Sequence, residues 1–149
     1  MIVRAIAMAG LMAVSLFASA ADGLVSLKSP HSVQATMDRL ESIVEDKGLN
    51  VFARIDHAAG AEKVGQSLRP TQLLIFGNPK GGTPFMQCAQ SVGIDLPLKA
   101  LVWEDEAGQV WLGYSAPSYI AERHGVGDCA VVPKLTKALE GMTKAAVAK

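Results

Sequence analysis

Leu98-Lys99-Ala100-Leu101-Val102-Trp103-Glu104-Asp105-Glu106-Ala107-Gly108-Gln109-Val110-Trp111-Leu112-Gly113-Tyr114-Ser115 is the stretch on which the fold turns. Two apolar runs flank Glu106-Ala107-Gly108, a short loop whose glycine accepts positive φ, so residues 98–105 and 109–115 are expected to form an antiparallel hairpin. That loop sets Trp103 opposite Trp111, an aromatic cross-strand pair that fixes the register. Successive strand side chains alternate between faces. Leu101, Trp103 and Trp111 therefore share one face, and Ala100, Val102, Val110, Leu112 and Tyr114 share the other. Both faces are apolar, unlike those of a half-solvated antiparallel sheet. Helices can cover one of them. A second copy of the chain is the simplest cover for the other, with the C-terminal helix as the intramolecular alternative.

Working outward, Asn50–Asp56 alternates as a strand, and residues 71–76, with Leu73-Leu74-Ile75-Phe76, read as a strand buried on both faces. Residues 24–27 suit a first strand before Ser29-Pro30. Ser32 can cap a helix with Val33, Met37, Leu40 and Val44 on one face, and Gly48 ends it. Residues 57–64 make a short helix. Thr83 at the N-cap and Pro84 at the first helical position open another, which carries Phe85, Met86 and Cys88 and ends near Gly93. Residues 118–124 and 133–148 give the last two helices. No internal repeat or interdomain linker is present, so residues 21–149 read as one domain.

The 149 residues are half apolar and carry 14 basic and 14 acidic side chains, which excludes a disordered chain. There is no basic stripe, which argues against nucleic acid as a partner. Residues 1–20 have the pattern of a secretory signal: Arg4 in a positive start, an apolar run from Ala5 to Phe17, then Ala18-Ser19-Ala20. Cleavage is expected after Ala20, with the bond after Ala21 as second choice. The apolar run falls short of the ~20 residues that span a bilayer, so no stable membrane anchor is expected. The expected destination is the bacterial periplasm or the exterior. There, oxidation favours joining Cys88 to Cys129, the only two cysteines. The alternative is a buried free thiol at Cys88 and a surface thiol at Cys129. A catalytic Cys88–His57 pair has no supporting motif.

Three apolar runs end in polar or glycine-rich clusters, and such ends are where a small domain keeps its site. Asp56-His57 offers a carboxylate and an imidazole for acid–base work, although adjacent strand residues point apart and Asp56 also suits a turn cap. Arg54 reads as an ion-pair partner on the face of Asp56 and Phe52. Glu104-Asp105-Glu106 offers paired carboxylates or a solvated hairpin tip. Gly77-Asn78-Pro79-Lys80-Gly81-Gly82-Thr83 lacks the spacing of a phosphate loop and reads as a turn that can present an anion nest beside Lys80. His31, His57 and His124 have no metal-ligand spacing, and no Ser-His-Asp order or nucleophile elbow is evident.

Residues 50–61, residues 68–80, Gly82-Thr83-Pro84 and residues 96–105 together resemble the domain of unknown function 302 family, in a match covering roughly residues 33–125. The resemblance implies an α+β domain: a small antiparallel-rich sheet with helices packed on one face, in a TATA-binding-protein-like topology, and dimeric. It supplies no activity, cofactor or catalytic residue. Ser115-Ala116 stands where the family pattern has an Asn-Asp pair, and Cys88 stands where alanine is usual. The expectation is a homodimeric small-ligand-binding or accessory domain of the cell envelope. Its candidate ligand-binding residues are His57, Asp56, Asn78, Lys80, Lys99 and Glu104, gathered where strand ends converge, and an anionic small molecule is one candidate ligand. Two alternatives are a hydrolase or isomerase using His57 with Asp56 or Glu104, and a structural or stress-related envelope protein without a ligand.

Overall fold

The computed structural model describes residues 23–149, so the expected secretory signal and both expected cleavage positions lie outside the described residues. The strands are β1 (Leu24–Ser29), β2 (Asn50–Asp56), β3 (Thr71–Gly77), β4 (Leu98–Glu104) and β5 (Val110–Ser115). The helices are α1 (Val33–Asp46), α2 (His57–Lys63), α3 (Pro79–Cys88), α4 (Pro117–Arg123) and α5 (Val132–Ala146), with a 3-10 turn at Gln90–Ile94. The five strands form one sheet in the order β1-β5-β4-β3-β2, each neighbouring pair antiparallel. The protein is thus α+β.

The expected hairpin forms in the expected register, with Trp103 opposite Trp111 and their rings stacked 6.5 Å apart. Ala100, Val102, Val110, Leu112 and Tyr114 are buried under α1 and α5 together with Leu74 and Phe76. Met37, Leu40 and Val44 of α1 and Leu139, Met142 and Ala146 of α5 fill the facing layer. These apolar positions recur along one stripe of each helix, which decides the side each helix buries. Ser32 caps α1 by accepting the Ala35 N–H at 3.1 Å, and Gly48 follows its end at φ +72°. Ser29 and Thr36 satisfy each other inside this layer at 2.7 Å.

α5 lies on the same side as α1 and therefore does not cover the second face of the sheet. Arg39 of α1 fixes the pair by donating to the carbonyls of Ala146 (2.8 Å) and Ala148 (3.0 Å), a cation at the negative end of α5. The other face keeps Leu101, Trp103 and Trp111 half-exposed beside Leu24, Leu73 and Ile75. β3 is accordingly not buried on both sides as its composition suggested: Leu74 and Phe76 are fully buried, whereas Leu73 and Ile75 reach the open face. Trp103 folds over Gly113, where an added Cβ would meet its ring at 2.9 Å, so glycine at this strand position makes room for the indole.

Three local expectations shift. α3 begins five residues earlier than Thr83-Pro84 suggested. Asn78 is the N-cap and accepts the Gly81 N–H at 3.1 Å, Pro79 takes the first helical position, and Pro84 falls inside the helix. Both dipeptides carry the same start chemistry, and the first one reached after β3 takes it. The glycine cluster after β3 is therefore a helix start rather than a free turn. β2 carries a bulge at Phe52, which puts Val51 rather than Phe52 on the side of Arg54 and leaves Phe52 57% exposed.

The hairpin tip is organised by Asp105. Its Oδ1 accepts the Ala107 and Gln109 N–H groups at 2.9 Å each, and its Oδ2 accepts the Trp111 indole N–H at 2.8 Å. The Trp111 bond first, and then the Gln109 amide, hold this carboxyl below its ordinary range. A folded-state value below the unfolded one means that Asp105 stabilises the fold above the unfolded value, about 3.9, and that this contribution is lost as pH falls through the folded value. Urea titrations should therefore show wild-type stability dropping below about pH 4, with part of that drop missing in Asp105→Asn, which should already be less stable at pH 7.

Candidate functional site

An antiparallel sheet sends alternate strands in opposite directions, and this disperses the polar strand ends. β2 and β4 run one way and β3 the other, so Asp56 and Glu104 reach one end of the sheet while Asn78 and Lys80 leave from the opposite end. The six candidate residues do not converge on one site.

At the Asp56 end is a polar depression of about 390 Å³ lined by residues including Gln34, Asp56, Glu62, Gln72 and Glu104. Gln34, Asp56 and Gln72 partner one another, and Arg54 beside them joins the same network. Arg54 donates to Asp38 (2.6 Å) and Glu41 (2.7 Å) of α1 and to Gln72 (2.8 Å) of β3. Burial alone lowers the Arg54 pKa, but its bonds to Asp38 and Glu41 raise it above the ordinary value. Gln72 donates in turn to Gln34 at 3.0 Å and to Asp56 at 3.4 Å. The other Asp56 oxygen caps α2 by accepting the Ala59 N–H at 2.9 Å. This network ties α1 to the sheet and caps α2.

His57 is exposed at the start of α2, and its side chain has no hydrogen bond or ion pair to a carboxylate among the described residues. Lys99 points its ammonium at the carbonyls of Asp95 (3.2 Å) and Pro97 (2.9 Å), where it closes the loop before β4. Glu106 is almost fully exposed at the hairpin tip.

The opposite end is different. A cavity of about 570 Å³ opens between the start of α3, the loop before β4 and the length of α5. Its floor and walls include Met86, Leu96, Leu98, Leu135, Leu139 and Met142, and its rim carries Asn78, Lys80, Thr83 and Lys134. Its volume lies within the roughly 300–1,000 Å³ of small-molecule sites, which are likewise mostly apolar with a few polar groups. Of the candidate residues, Asn78 and Lys80 line it, whereas Asp56, His57, Lys99 and Glu104 do not. The space exists partly because Gly81 and Gly93 have no side chain: a Cβ at Gly81 would stand 3.2 Å from Leu135, and one at Gly93 3.3 Å from Met86.

Behind this cavity a second apolar cluster joins α3, α4 and the start of α5 through Phe85, Val92, Ile120, Ala121, Cys129 and Val132. Cys88 and Cys129 are within disulfide distance, their Cα atoms 6.1 Å apart, and link the end of α3 to the approach to α5. Cys129 is the buried partner and Cys88 the exposed one, the reverse of the free-thiol alternative.

The structure also assembles a group that chain order concealed. His124 Nε2 lies 2.6 Å from Asp95 Oδ2, and its Nδ1 lies 2.9 Å from the Ser91 hydroxyl. Arg123 adds a bond to Asp95 at 2.8 Å. Neither cavity described above is lined by Ser91, Asp95 or His124. The group pins the 3-10 turn to the end of α4. Ser91 and Asp95 lie 33 and 29 positions from His124, so no local motif announced them. Lys134, the second rim lysine, was missed for a similar reason, since on sequence it is an ordinary polar position of an amphipathic helix. Among the described residues no three His, Cys, Asp or Glu side chains gather as a metal-binding group.

A one-sided antiparallel sheet with an apolar cavity beneath one end defines this chain's class, and comparison with known proteins gives it a family. Residues 25–142 match the family described as Domain of unknown function DUF302, and the chain belongs to it. The crystal structure of an uncharacterized conserved DUF302 protein from Bacillus stearothermophilus superposes with a TM-score of 0.74 at 18% identity, covering 85% of this chain and 99% of that one. At that identity the likeness shows the fold alone.

Two curated proteins from Brucella suis and Brucella abortus, both named Fluoride-specific ion channel FluC 1, are 49% identical to this chain over 105 residues. The match takes in 70% of this chain but only 41% and 39% of theirs, so the chain spans about two fifths of their length. No helix among the described residues is long and apolar enough to cross a membrane.

The Cys88–Cys129 link closes a loop of 41 residues' separation. In the chain-entropy model such a loop is worth about 4 kcal/mol. Urea denaturation of Cys88→Ser/Cys129→Ser, or of reduced wild type, should show a loss approaching that figure, and a loss below about 1 kcal/mol would mean that the link contributes little.

Proposed function

We propose that this chain is an exported, homodimeric domain of the cell envelope that binds a small molecule in the cavity between α3 and α5 and acts as an accessory to other components. The observation that carries this reading is the cavity itself: it is apolar, of ligand size and rimmed by a few polar groups. The signal-like N-terminus and the paired cysteines support export. The accessory role is supported by the part-length match to longer proteins named as fluoride channels. The uncovered sheet face, with Leu101, Trp103 and Trp111 half-exposed, supports a second copy as its cover.

The acid–base alternative draws less support, because among the described residues the His57 side chain makes no hydrogen bond or ion pair to Asp56 or Glu104. The reading without a ligand leaves the cavity unexplained.

Native mass spectrometry of gently purified protein should show a dimer whose protomer begins at Ala21 and retains an organic molecule that Ala138→Trp, at the cavity wall, displaces. Trp103→Glu should convert the dimer to monomer, as read by light scattering, without loss of that molecule. A wild-type protein that is monomeric at micromolar concentration would remove the dimer from the proposal. Retention of the same molecule by Ala138→Trp would remove the cavity.

A further inference from the structure

The charges around the cavity are one-sided. Lys80 and Lys134 are its only ionisable lining residues among those described, and no aspartate or glutamate lines it. Over its whole length the chain balances its signs, with 14 basic and 14 acidic side chains, so a rim of one sign is a local property of this opening. Neither lysine has an ion-pair partner among the described residues, whereas Arg54 and Arg123, at other sites, are both paired with carboxylates.

The two lysines stand on different elements, Lys80 in the first turn of α3 and Lys134 in the first turn of α5, so both lie at the positive ends of their helices. Below them the lining is aliphatic and thioether: Met86, Leu96, Leu98, Leu135, Leu139 and Met142. Leu139 and Met142 belong to the buried core, so the depth of the cavity is apolar and offers no partner to a second polar group. Methionines adapt their shape to irregular apolar chains. No aromatic ring among the lining residues except Phe52 offers a stacking surface, which argues against a flat heteroaromatic ligand.

From this arrangement we infer that the cavity takes a single-chain amphipathic anion, a free aliphatic carboxylate, with its chain against Leu135, Leu139 and Met142 and its head between Lys80 and Lys134. The inference rests on the cavity being a binding site, as proposed above, and adds the class of ligand. The carboxylate stays at the wet rim, where it keeps part of its hydration while gaining two cations. The chain replaces water along apolar walls, a gain of about 0.8 kcal/mol per methylene, or close to fourfold in affinity for each.

The test is isothermal titration of the purified protein with decanoate, decylamine and 1-decanol, below their aggregation limits, together with hexanoate and octanoate. Decanoate should bind more tightly than both the amine and the alcohol, and octanoate roughly fifteenfold more weakly than decanoate. Lys80→Ala/Lys134→Ala, two exposed positions, should weaken decanoate about five- to tenfold and leave decanol unchanged, removing the preference for the acid. Ala138→Trp should weaken all three ten-carbon probes together. If decylamine or decanol equals decanoate, or if affinity does not change with chain length, the ligand class is wrong while the cavity remains a binding site. If none of the probes binds, the binding reading itself is overturned along with the class.

Discussion

The packing of α1 and α5 side by side on a single face of the sheet is the constraint from which the rest of this structure follows. β1 and β2 lie at opposite edges, so α1 must cross beneath the sheet to join them, and its stripe of Met37, Leu40 and Val44 occupies half of the inner face. α5 takes the remaining width, held to α1 by Arg39 across its last carbonyls. With both long helices on that side, among the described residues none is left for the other. α5 is also longer than the inner core needs. Its later residues, Leu139, Met142 and Ala146, belong to the sheet core, while Val132 belongs to the cluster around α3 and α4. One helix thus spans two cores, and the cavity lies along the seam between them.

This accounts for the character of the cavity as well as its place. A seam between two apolar clusters is apolar on both walls, and a well-packed interior would close it if side chains reached across. Here Gly81, Gly82 and Gly93 stand where such side chains would be. Gly81 and Gly82 inside α3 weaken that helix by roughly 1 kcal/mol each relative to alanine. The Cys88–Cys129 link and the Ser91–His124–Asp95 group lie close by and hold α3, the 3-10 turn and α4 together. A lightly built helix is therefore fastened at its far end, while its first turn, with Asn78 and Lys80, faces the opening.

Much of the fold was legible because its signals are local. The hairpin was carried by Gly108 and the apolar alternation around it, α1 by Ser32, its four-residue stripe and Gly48, and β2 by its alternation up to Asp56. The errors have physical causes. Two equivalent start signals, Asn78-Pro79 and Thr83-Pro84, lie within five residues, and no local rule chooses between them. The bulge at Phe52 arises from pairing with β3, which the β2 sequence does not contain. An apolar run such as Leu73-Leu74-Ile75-Phe76 has the same composition whether its second face is buried or left open. The site was less legible still. Grouping the polar strand ends assumed that they meet, and antiparallel pairing sends them to opposite ends of the sheet. What carries the cavity is three glycines, a set of aliphatic side chains and a helix-surface lysine, residue types that composition cannot distinguish from ordinary core and surface.

The open sheet face and the cavity are consequences of the same one-sided packing, yet they lie on different sides of the molecule. Trp103 and Trp111 stand on the face away from the helices, with Lys28 5.4 Å from the Trp111 ring, while the cavity rim is built from α3 and α5. A partner docked on the tryptophan face would contact neither Lys80 nor Lys134. Assembly and ligand entry are therefore separable in this fold. A change on one side reaches the other only through the shared inner core, where Phe76, Leu74 and Met142 are fully or almost fully buried. Such a core transmits shifts of packing but has no polar relay among these residues through which charge on one side would be felt on the other. The proposed dimer then keeps two independent cavities, each opening to solvent on the helical side, and binding in them is expected to be non-cooperative.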